Sequence, residues 1–460
     1  MRLCSISTLI VYEVLPRGPI VGGESIGSRP VQHSGAIKLW STDPVLREQE
    51  QQTSGIASSG ADIGSWLVSR GLRGASQEAL LDGFCAKVVA ANVSIDRMHL
   101  AQTALHPVYG ALGFDWKRSG TSVLREQFAH VSVPRARWAK SPLYFMLKEG
   151  LAELRERLVP PQDPNRFPVL DEFRAEGATD YFALVIPFSS NFPEGGVDPI
   201  NPPEGMAVSW TSDAPEGFSN GEIDLLRTLS LPLGLALKSA ADRQTARDLL
   251  AVYLGEDAGS RVLSGEIQRG SVETINAVIL YFDLAGFTKL SETAHGNVII
   301  SMLNDYFGSV VDVIEAHGGS VLKFMGDGLL AIFKAADRSN APSSAVSATA
   351  ELCETMADLN RRRASEGIPH TDFGVAIHAG DVMYGNIGAE RRLDFTVIGP
   401  AVNATARMQG MCRQLEQKVI LSSLVAEAVM HQRDDVVSLG RYMLRGLAVP
   451  QELFTLTGTI

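Results

Sequence analysis

Two aspartates lie where an apolar strand runs into a glycine-containing turn. Asp283 closes the strand INAVILYFD (275–283) and is followed by LAGFT, and Asp327 lies in the turn of SVLKFMGDGLLAIF (320–333). Adjacent strand ends of an antiparallel sheet can bring two such turns together. Two carboxylates with phosphate oxygens are a usual ligand set for Mg²⁺. Because aspartate is also common at turns for backbone hydrogen bonding alone, this pattern by itself leaves both interpretations open.

Three further polar residues lie in positions where they could bind a nucleotide. Lys323 is inside the first strand of the 320–333 hairpin, where an apolar side chain would pack better. Asn403 and Arg407 are four residues apart in PAVNATARMQGM (400–411), so they share one face of a predicted helix. Arginine suits phosphate because its planar fork donates two hydrogen bonds at once. A solvated helix surface is the simpler interpretation of that pair taken alone.

Other candidate patterns indicate no chemistry. Arg361, Arg362 and Arg363 end a predicted helix, where cations are favoured by the helix dipole. The nine histidines have no HxxxH or HExxH spacing, so no metal is assigned to them. The sequence also has no GxxxxGK[ST] phosphate loop.

The C-terminal part alternates between predicted strands and helices. We predict a strand at 275–283, two helical segments over 288–317, the hairpin at 320–333 and a helix over 343–363. A second hairpin of FGVAIH (373–378) and VMYGNI (382–387) follows, then the strand RLDFTVI (392–398), the helix 400–411, a strand at 419–421 and a terminal hairpin. This βααββαβ-like order predicts an α+β fold with a mostly antiparallel sheet.

The N-terminal half is predicted to contain a tail, a globular unit and a linker. Residues 1–62 are rich in Gly, Ser, Pro and Gln and are predicted to be a disordered tail. Residues 63–240 are predicted to form an α+β domain, with a helix that begins at a Ser219 or Asn220 cap and is kinked or ended at Pro232. Residues 241–272 are predicted to form a helical linker, either part of a short parallel coiled coil or a helix packed on one domain.

Composition limits the class of protein. The chain has 460 residues, 45% of them hydrophobic and 20% charged, which is typical of a globular protein with two or three domains. A net charge of −11 argues against nucleic-acid and membrane partners. Four isolated cysteines and the lack of an apolar run near ~20 residues favour a cytoplasmic location.

Taken together, three segments resemble the catalytic domain of class III nucleotide cyclases in order and spacing. They are AVILYFDLAGFTKLSE (277–292), VLKFMGDGLLAIF (321–333) and DFTVIGPAVNATARM (394–408). The resemblance implies a ferredoxin-like catalytic domain over 273–460, with a central, mostly antiparallel sheet. The preceding domain, especially FSNGEIDLLRTLSLPLGLAL (218–237), is similar to the end of a GAF-type sensor.

The resemblance also implies roles for individual residues. Asp283 and Asp327 correspond to the metal-binding aspartates, which hold two Mg²⁺ or Mn²⁺ ions in each active site. Lys323 corresponds to the lysine that reads adenine, where guanylate-selective members have glutamate. Asn403 and Arg407 correspond to the catalytic pair that positions the ribose and stabilises the transition state. Arg445, in MLRGL, lies near the position where the family often has a cation that binds the triphosphate.

Thr396 departs from the commonest pattern of the family. It occupies the second base-reading position, where many members have aspartate. This resembles a threonine-bearing subgroup, some members of which respond to bicarbonate. A threonine hydroxyl can still hydrogen-bond the exocyclic amine of adenine, so the resemblance continues to imply ATP as substrate.

The implied enzyme is an adenylate cyclase, a phosphorus–oxygen lyase that converts ATP to 3′,5′-cyclic AMP and pyrophosphate. In such enzymes the domain forms a homodimer, and one protomer supplies the metal aspartates while its partner supplies the Lys, Thr, Asn and Arg set. The N-terminal domain would regulate the enzyme, and a small molecule bound to that domain could be the signal. Guanylate cyclase, or a degenerate nucleotide-binding regulatory module, are the alternatives.

Overall fold

The computed structural model describes residues 59–130, 136–160, 166–189, 195–335 and 340–458. Most of the predicted tail therefore lies outside the described residues. Its last four residues, 59–62, do not match the prediction, because they belong to helix α1, which spans residues 59–72. Within the described ranges, no helix is both long enough and apolar enough to cross a membrane.

The N-terminal domain is an α+β unit built on one six-stranded antiparallel sheet with the order β3-β2-β1-β6-β5-β4. Its strands are β1 (Ile95–Thr103), β2 (Tyr109–Lys117), β3 (Leu124–Ala129), β4 (Glu153–Arg157), β5 (Asp180–Pro187) and β6 (Gly205–Ser212). The helices after α1 are α2 (Gln77–Ala90), α3 (Ala136–Ala139), α4 (Pro142–Glu149), α5 (Pro168–Ala175) and α6 (Asn220–Leu254).

Both faces of this sheet are covered by apolar side chains. On one face α1, α2 and the first half of α6 pack around residues such as Phe84, Trp210 and Leu229. On the other face α4 and α5 pack with Tyr181 and Phe173. Because both faces are covered, β5 and β6 are buried almost without interruption instead of alternating between buried and exposed residues.

Helix α6 begins where the sequence predicts and ends much later. Ser219 and Glu222 form a capping box, in which the Ser219 side chain accepts from the Glu222 backbone N–H. Pro232 does not end the helix, because the 35-residue helix continues through it to Leu254. Leu229 and Leu233 are fully buried on either side of Pro232, so core packing holds both halves in one helix despite the lost hydrogen bond.

A short helix, α7 (Glu256–Leu263), connects α6 to the second sheet. Gly255 lies between the two helices with φ +83°, and a Cβ on it would lie 2.8 Å from the Val321 carbonyl oxygen. The elbow between α6 and α7 therefore contacts the strand that contains Lys323.

The C-terminal domain is also α+β, with an eight-stranded sheet of order β13-β14-β12-β10-β7-β9-β8 and β11 paired to β10. Only the β10–β12 pair is parallel among the described pairs. The strands are β7 (Val272–Leu284), β8 (Ser320–Met325), β9 (Gly328–Lys334), β10 (Phe373–Ala389), β11 (Arg392–Ile398), β12 (Val419–Ser422), β13 (Val436–Tyr442) and β14 (Gln451–Leu456). The helices are α8 (Phe287–Thr293), α9 (Gly296–Ala316), α10 (Ala341–Ser365), α11 (Pro400–Gln414) and α12 (Ser423–Val429).

The predicted hairpin of 373–378 and 382–387 is wrong, because both segments belong to the single 17-residue strand β10. Strand β10 pairs with β7 along its length, from Phe373 opposite Leu284 to Gly385 opposite Val272. Gly380 and Asp381, which resemble a turn in sequence, stay inside the ladder. A Cβ at Gly380 would lie 2.8 Å from Ala401 Cβ, so this glycine admits α11 rather than a turn.

Two layers of apolar side chains enclose the C-terminal sheet. Helices α9 and α10 cover one face, with Phe282, Tyr306 and Met356 in the core. The opposite face contains Ile279, Leu330 and Tyr384, covered in part by α7 and α11. We call this second face, defined by Ile279, Leu330 and Tyr384, the α7 face of the sheet.

Candidate active site

The structure brings Asp283 and Asp327 to neighbouring strand ends. Asp283 is opposite Gly328 in the β7–β9 register, and Asp327 is the residue before Gly328. The Leu284 N–H donates to the Asp327 carbonyl at 3.2 Å, which closes the turn against the end of β7. A Cβ on Gly328 would lie 2.8 Å from Asp283 Oδ1, so glycine at this position leaves room for the carboxylate.

The negative charge of Asp327 acts on the carboxyl of Asp283. Burial raises the pKa of Asp283, the negative charge of Asp327 raises it further, and a hydrogen bond from Gln409 opposes the rise, with a resulting pKa of about 6. A carboxylate that is costly to ionise beside a second carboxylate attracts a cation strongly. The pair is half-buried at the end of the sheet, where a ligand can reach it.

Gln409 is a residue of this site that the sequence analysis missed. Gln409 lies on α11. Gly374 of β10 is paired with Asp283, and a Cβ added to Gly374 would lie 3.3 Å from the Gln409 amide Nε2. The absence of a side chain at Gly374 thus lets α11 place an amide beside Asp283. No spacing rule indicates Gln409, because it is off the Asn403–Arg407 face.

A β-bulge turns Lys323 onto the α7 face. Val321 is opposite Ala331, but Lys323 is opposite Leu330, so Leu322 is an extra residue in β8. Residues directly opposite in a ladder point to the same side, and Leu330 belongs to the α7 face. Without the bulge, regular alternation would turn Lys323 toward the face covered by α9 and α10.

Lys323 of β8 is bonded to Asp394 of β11, which is two residues before Thr396 on the same strand. Lys323 Nζ donates to Asp394 Oδ2 at 2.9 Å. Asp394 and Thr396 are two residues apart on β11 and share a face, while Phe395 and Val397 pack into the core on the other. The Thr396 hydroxyl is buried and has no hydrogen-bond partner among the described residues.

Helix α11 carries Asn403 and Arg407, and Arg407 lies beside the loop that contains Arg445. Asn403 is exposed and Arg407 is half-buried. The Arg407 guanidinium lies against Gly446, where a Cβ would be 3.2 Å from its Nη2. Arg445, next to Gly446, is exposed. The Arg407 guanidinium therefore lies against the residue that follows Arg445 in the chain.

At the end of α10, Arg363 has contacts that indicate a structural role. Arg363 is 2% exposed, donates to the Pro369 carbonyl at 2.7 Å and pairs with Asp305. The Arg363 guanidinium is therefore bound by protein groups, as expected if the arginines at 361–363 serve the structure and not a phosphate.

A second polar cluster links α7 to the sheet. Asp257 accepts from Lys334 Nζ at 2.5 Å and from the Tyr384 hydroxyl at 2.6 Å. Arg261 pairs with Glu273 at 2.6 Å, and its guanidinium lies over the Tyr384 ring. Burial raises the pKa of Tyr384, and the bond to Asp257 raises it further, so the phenol stays a donor. We call Asp257, Arg261, Lys334 and Tyr384 the α7 cluster.

Comparison with known proteins identifies the C-terminal domain. Residues 271–458 match the family model described as the adenylate and guanylate cyclase catalytic domain. This part of the chain is therefore a class III nucleotide cyclase catalytic domain, as the three sequence segments predict.

The chain is also similar to proteins of known sequence and structure. Two uncharacterised proteins of Mycobacterium tuberculosis (strain ATCC 25618 / H37Rv) are 30% and 32% identical over 213 residues, 46% of this chain and 38% of each relative. The chain thus spans well under half the length of these relatives.

Among solved structures, the guanylyl cyclase Cya2 is 30% identical, with 41% of this chain and 94% of that chain covered and a TM-score of 0.37. The adenylyl cyclase CyaB from P. aeruginosa is 22% identical, with 40% and 95% covered and a TM-score of 0.37.

Proposed function

We propose that the protein is an adenylate cyclase that converts ATP to 3′,5′-cyclic AMP and pyrophosphate. The observation that carries the proposal is the pair Asp283 and Asp327, held at adjacent strand ends with the pKa of Asp283 raised to about 6. A half-buried pair of like charges is unfavourable unless a cation joins it.

The residues present fit a divalent metal. Two carboxylates leave most coordination positions of Mg²⁺ or Mn²⁺ to water and to substrate phosphates, as Mg²⁺ prefers. Among the described residues, no group of three or more His, Cys, Asp and Glu is arranged to hold a metal ion, and water and substrate phosphates would supply the remaining ligands. When bound, two such ions would neutralise the phosphates and acidify the ribose 3′-hydroxyl.

The other polar residues would hold the nucleotide. The Arg407 guanidinium, which contacts Gly446, would stabilise charge on the α-phosphate. Arg445, which precedes Gly446 and is exposed, would bind the β- and γ-phosphates. Asn403, one helical turn before Arg407, would position the ribose. The 3′-oxygen then attacks the α-phosphorus in line, and pyrophosphate leaves, so the protein contributes mainly positioning and electrostatics.

Lys323 and Thr396 would read the base. The bulge at Leu322 turns the lysine so that its ammonium lies 2.9 Å from Asp394 of β11, where it can donate to adenine N1. In a homodimer these residues would act in one active site while Asp327, on the same hairpin, acts in the other. Bicarbonate would stimulate the enzyme if the threonine subgroup's property holds for this chain.

The test is product formation by the purified full chain. We expect cyclic AMP and pyrophosphate in equal amounts from ATP with Mg²⁺ or Mn²⁺, and little cyclic GMP from GTP. A preference for GTP would establish the guanylate alternative. No cyclic nucleotide from either substrate with either metal would show a degenerate module. Asp283→Asn, which removes one proposed metal ligand, is the inactive control.

We infer that the N-terminal domain, which we propose to be a GAF-like sensor, regulates this reaction through α6 and α7. The first half of α6 is packed in the core of the N-terminal domain, and its C-terminal elbow contacts Val321 of β8. The α7 cluster then fixes α7 to β7, β9 and β10. A ligand that moved α6 would therefore act on the strand that contains Lys323.

A further inference from the structure

We propose that Asp394 is the residue that recognises the C6 amino group of adenine, in place of the aspartate that Thr396 replaces. The inference deepens the proposed function and rests on it. Thr396 lies where a base-reading carboxylate is expected, and its substitution leaves the site without one at that position. Asp394, two residues earlier on the same face of β11, puts a carboxylate back on that surface.

Exposure separates the two candidates. Thr396 is only 6% exposed, and its hydroxyl oxygen is enclosed by protein. The Asp394 side chain is 57% exposed, and that of Lys323 is 33% exposed. A ligand that approaches this surface therefore meets the carboxylate and the ammonium before it meets the threonine hydroxyl.

The ion pair fixes where the carboxylate lies. Asp394 Oδ2 accepts from Lys323 Nζ at 2.9 Å, across the two strands β8 and β11, which are not hydrogen-bonded neighbours in the sheet. A carboxylate has two oxygens and about four lone-pair sites, so the contact with lysine leaves acceptor capacity for a ligand. Asp394 and Lys323 thus present an acceptor and a donor side by side.

This pair of groups matches one purine and opposes the other. Adenine has an amino donor at C6 next to the N1 acceptor, which complements the carboxylate and the ammonium. Guanine has a carbonyl acceptor at C6 and a protonated N1, so both contacts would be unfavourable. A site built to bond a particular donor rejects an analogue that lacks it, because its own polar group is then left unpaired.

The experiment compares three triphosphates that differ at C6. ATP has the amino group, purine riboside triphosphate has hydrogen, and inosine triphosphate has a carbonyl. With the wild-type chain we expect kcat/KM for ATP to exceed that for purine riboside triphosphate by about 10-fold or more, the value of one hydrogen bond to a charged group. Asp394→Ala should lose this preference, with ATP turnover reduced about 10-fold and purine riboside triphosphate turnover within about twofold of wild type.

Two variants serve as comparisons. Asp381→Ala removes an exposed aspartate of the neighbouring strand β10 that bonds Asn276 at 2.9 Å, and it should keep the wild-type preference. Asp394→Asn keeps the shape of the side chain but can turn an amide N–H toward C6. We expect it to raise turnover of inosine triphosphate relative to ATP.

An equal loss of turnover for ATP and purine riboside triphosphate in Asp394→Ala would overturn the inference, since Asp394 would then only position Lys323. An unchanged ATP preference in both Asp394 variants would overturn it as well. Wild-type protein that forms no cyclic nucleotide at all would refute the proposed function, and the inference with it.

Discussion

Individual side chains in the catalytic domain lie in environments that their chemistry makes costly. Lys323 is flanked in its strand by the apolar residues Leu322 and Phe324, and Asp283 is half-buried beside a second carboxylate. Gly328 and Gly374 give these carboxylates and Gln409 the space they occupy. Such local conflicts with packing rules are expected at functional sites, where stability is traded for binding.

Replacement of Lys323 by glutamate tests the base-reading role. Lys323→Glu puts a second carboxylate beside Asp394 and replaces a donor to adenine N1 with an acceptor. We expect kcat/KM for ATP to fall by about 100-fold or more, with a smaller effect on GTP, as measured by chromatography of the cyclic products. Lys418, which is 32% exposed and pairs with Asp372, gives a matched control in Lys418→Glu. Equal losses in the two variants would contradict the assignment.

The raised pKa of Asp283 predicts a stability change with a definite sign. Its carboxyl has a pKa of about 6 in the folded chain and about 3.9 when unfolded. Between these values the folded state binds more protons, so wild-type stability falls as pH rises from about 4 to 6. Asp283→Asn removes the unfavourable charge and should raise Tm in EDTA at about pH 7.5, with a smaller gain at about pH 5.

Asp381→Asn, on an exposed side chain, is the control for that measurement and should leave Tm unchanged at both pH values. A gain in Asp283→Asn that was as large at the lower pH would show that burial of the charge is not its origin.

Elements of secondary structure follow from sequence more reliably than the details that orient them. The hairpin at Gly326, the helix that begins at Ser219 and the helix containing Asn403 and Arg407 were each predicted from turn residues, caps and periodicity. The continuous strand β10 was missed because Gly380 looks like a turn residue, whereas its real partner is α11, distant in sequence. Likewise, no local pattern indicates the bulge at Leu322, because it depends on pairing with β9.

The elbow between α6 and α7 predicts a coupling that one substitution can test. Gly255→Ala puts a side chain at φ +83° and within 2.8 Å of the Val321 carbonyl oxygen, so it should displace β8 and with it Lys323. We expect a several-fold rise in KM for ATP and faster hydrogen exchange in 320–325. Gly265→Ala has the same kind of backbone strain, at φ +102°, but meets nothing within 4 Å. It should therefore leave both readouts near wild type.

At the scale of the whole molecule, the sequence predicted two α+β units and assigned the cyclase domain correctly from three short segments. The residues that we propose to bind metal and base could be selected from the sequence, and helix α11 could be predicted, because each lies in a segment with a recognisable local pattern. Asp394, Gln409 and the α7 cluster could not be, because their partners are far apart in sequence and meet only in the folded sheet. Such long-range contacts are what a sequence pattern leaves unspecified.

The proposed division of labour between two protomers makes a prediction about mixed dimers. If one protomer supplies Asp283 and Asp327 and its partner supplies Lys323, Asn403 and Arg407, then Asp283→Ala and Arg407→Ala each inactivate both sites of their own homodimer. A mixed dimer of the two variants has one site with both defects and one site with none. We therefore expect each variant alone to be inactive and the mixture to regain up to about a quarter of wild-type activity. This estimate assumes that random pairing makes half the dimers mixed and that each has one intact site.

Formation of the mixed dimer is confirmed by giving the two chains different affinity tags and purifying on each tag in turn. A mixture of Asp283→Ala with Asp327→Ala is the control, since both sites of that dimer lack a metal ligand. A confirmed mixed dimer without cyclic AMP synthesis would contradict the shared site and would indicate that each protomer contains a complete one.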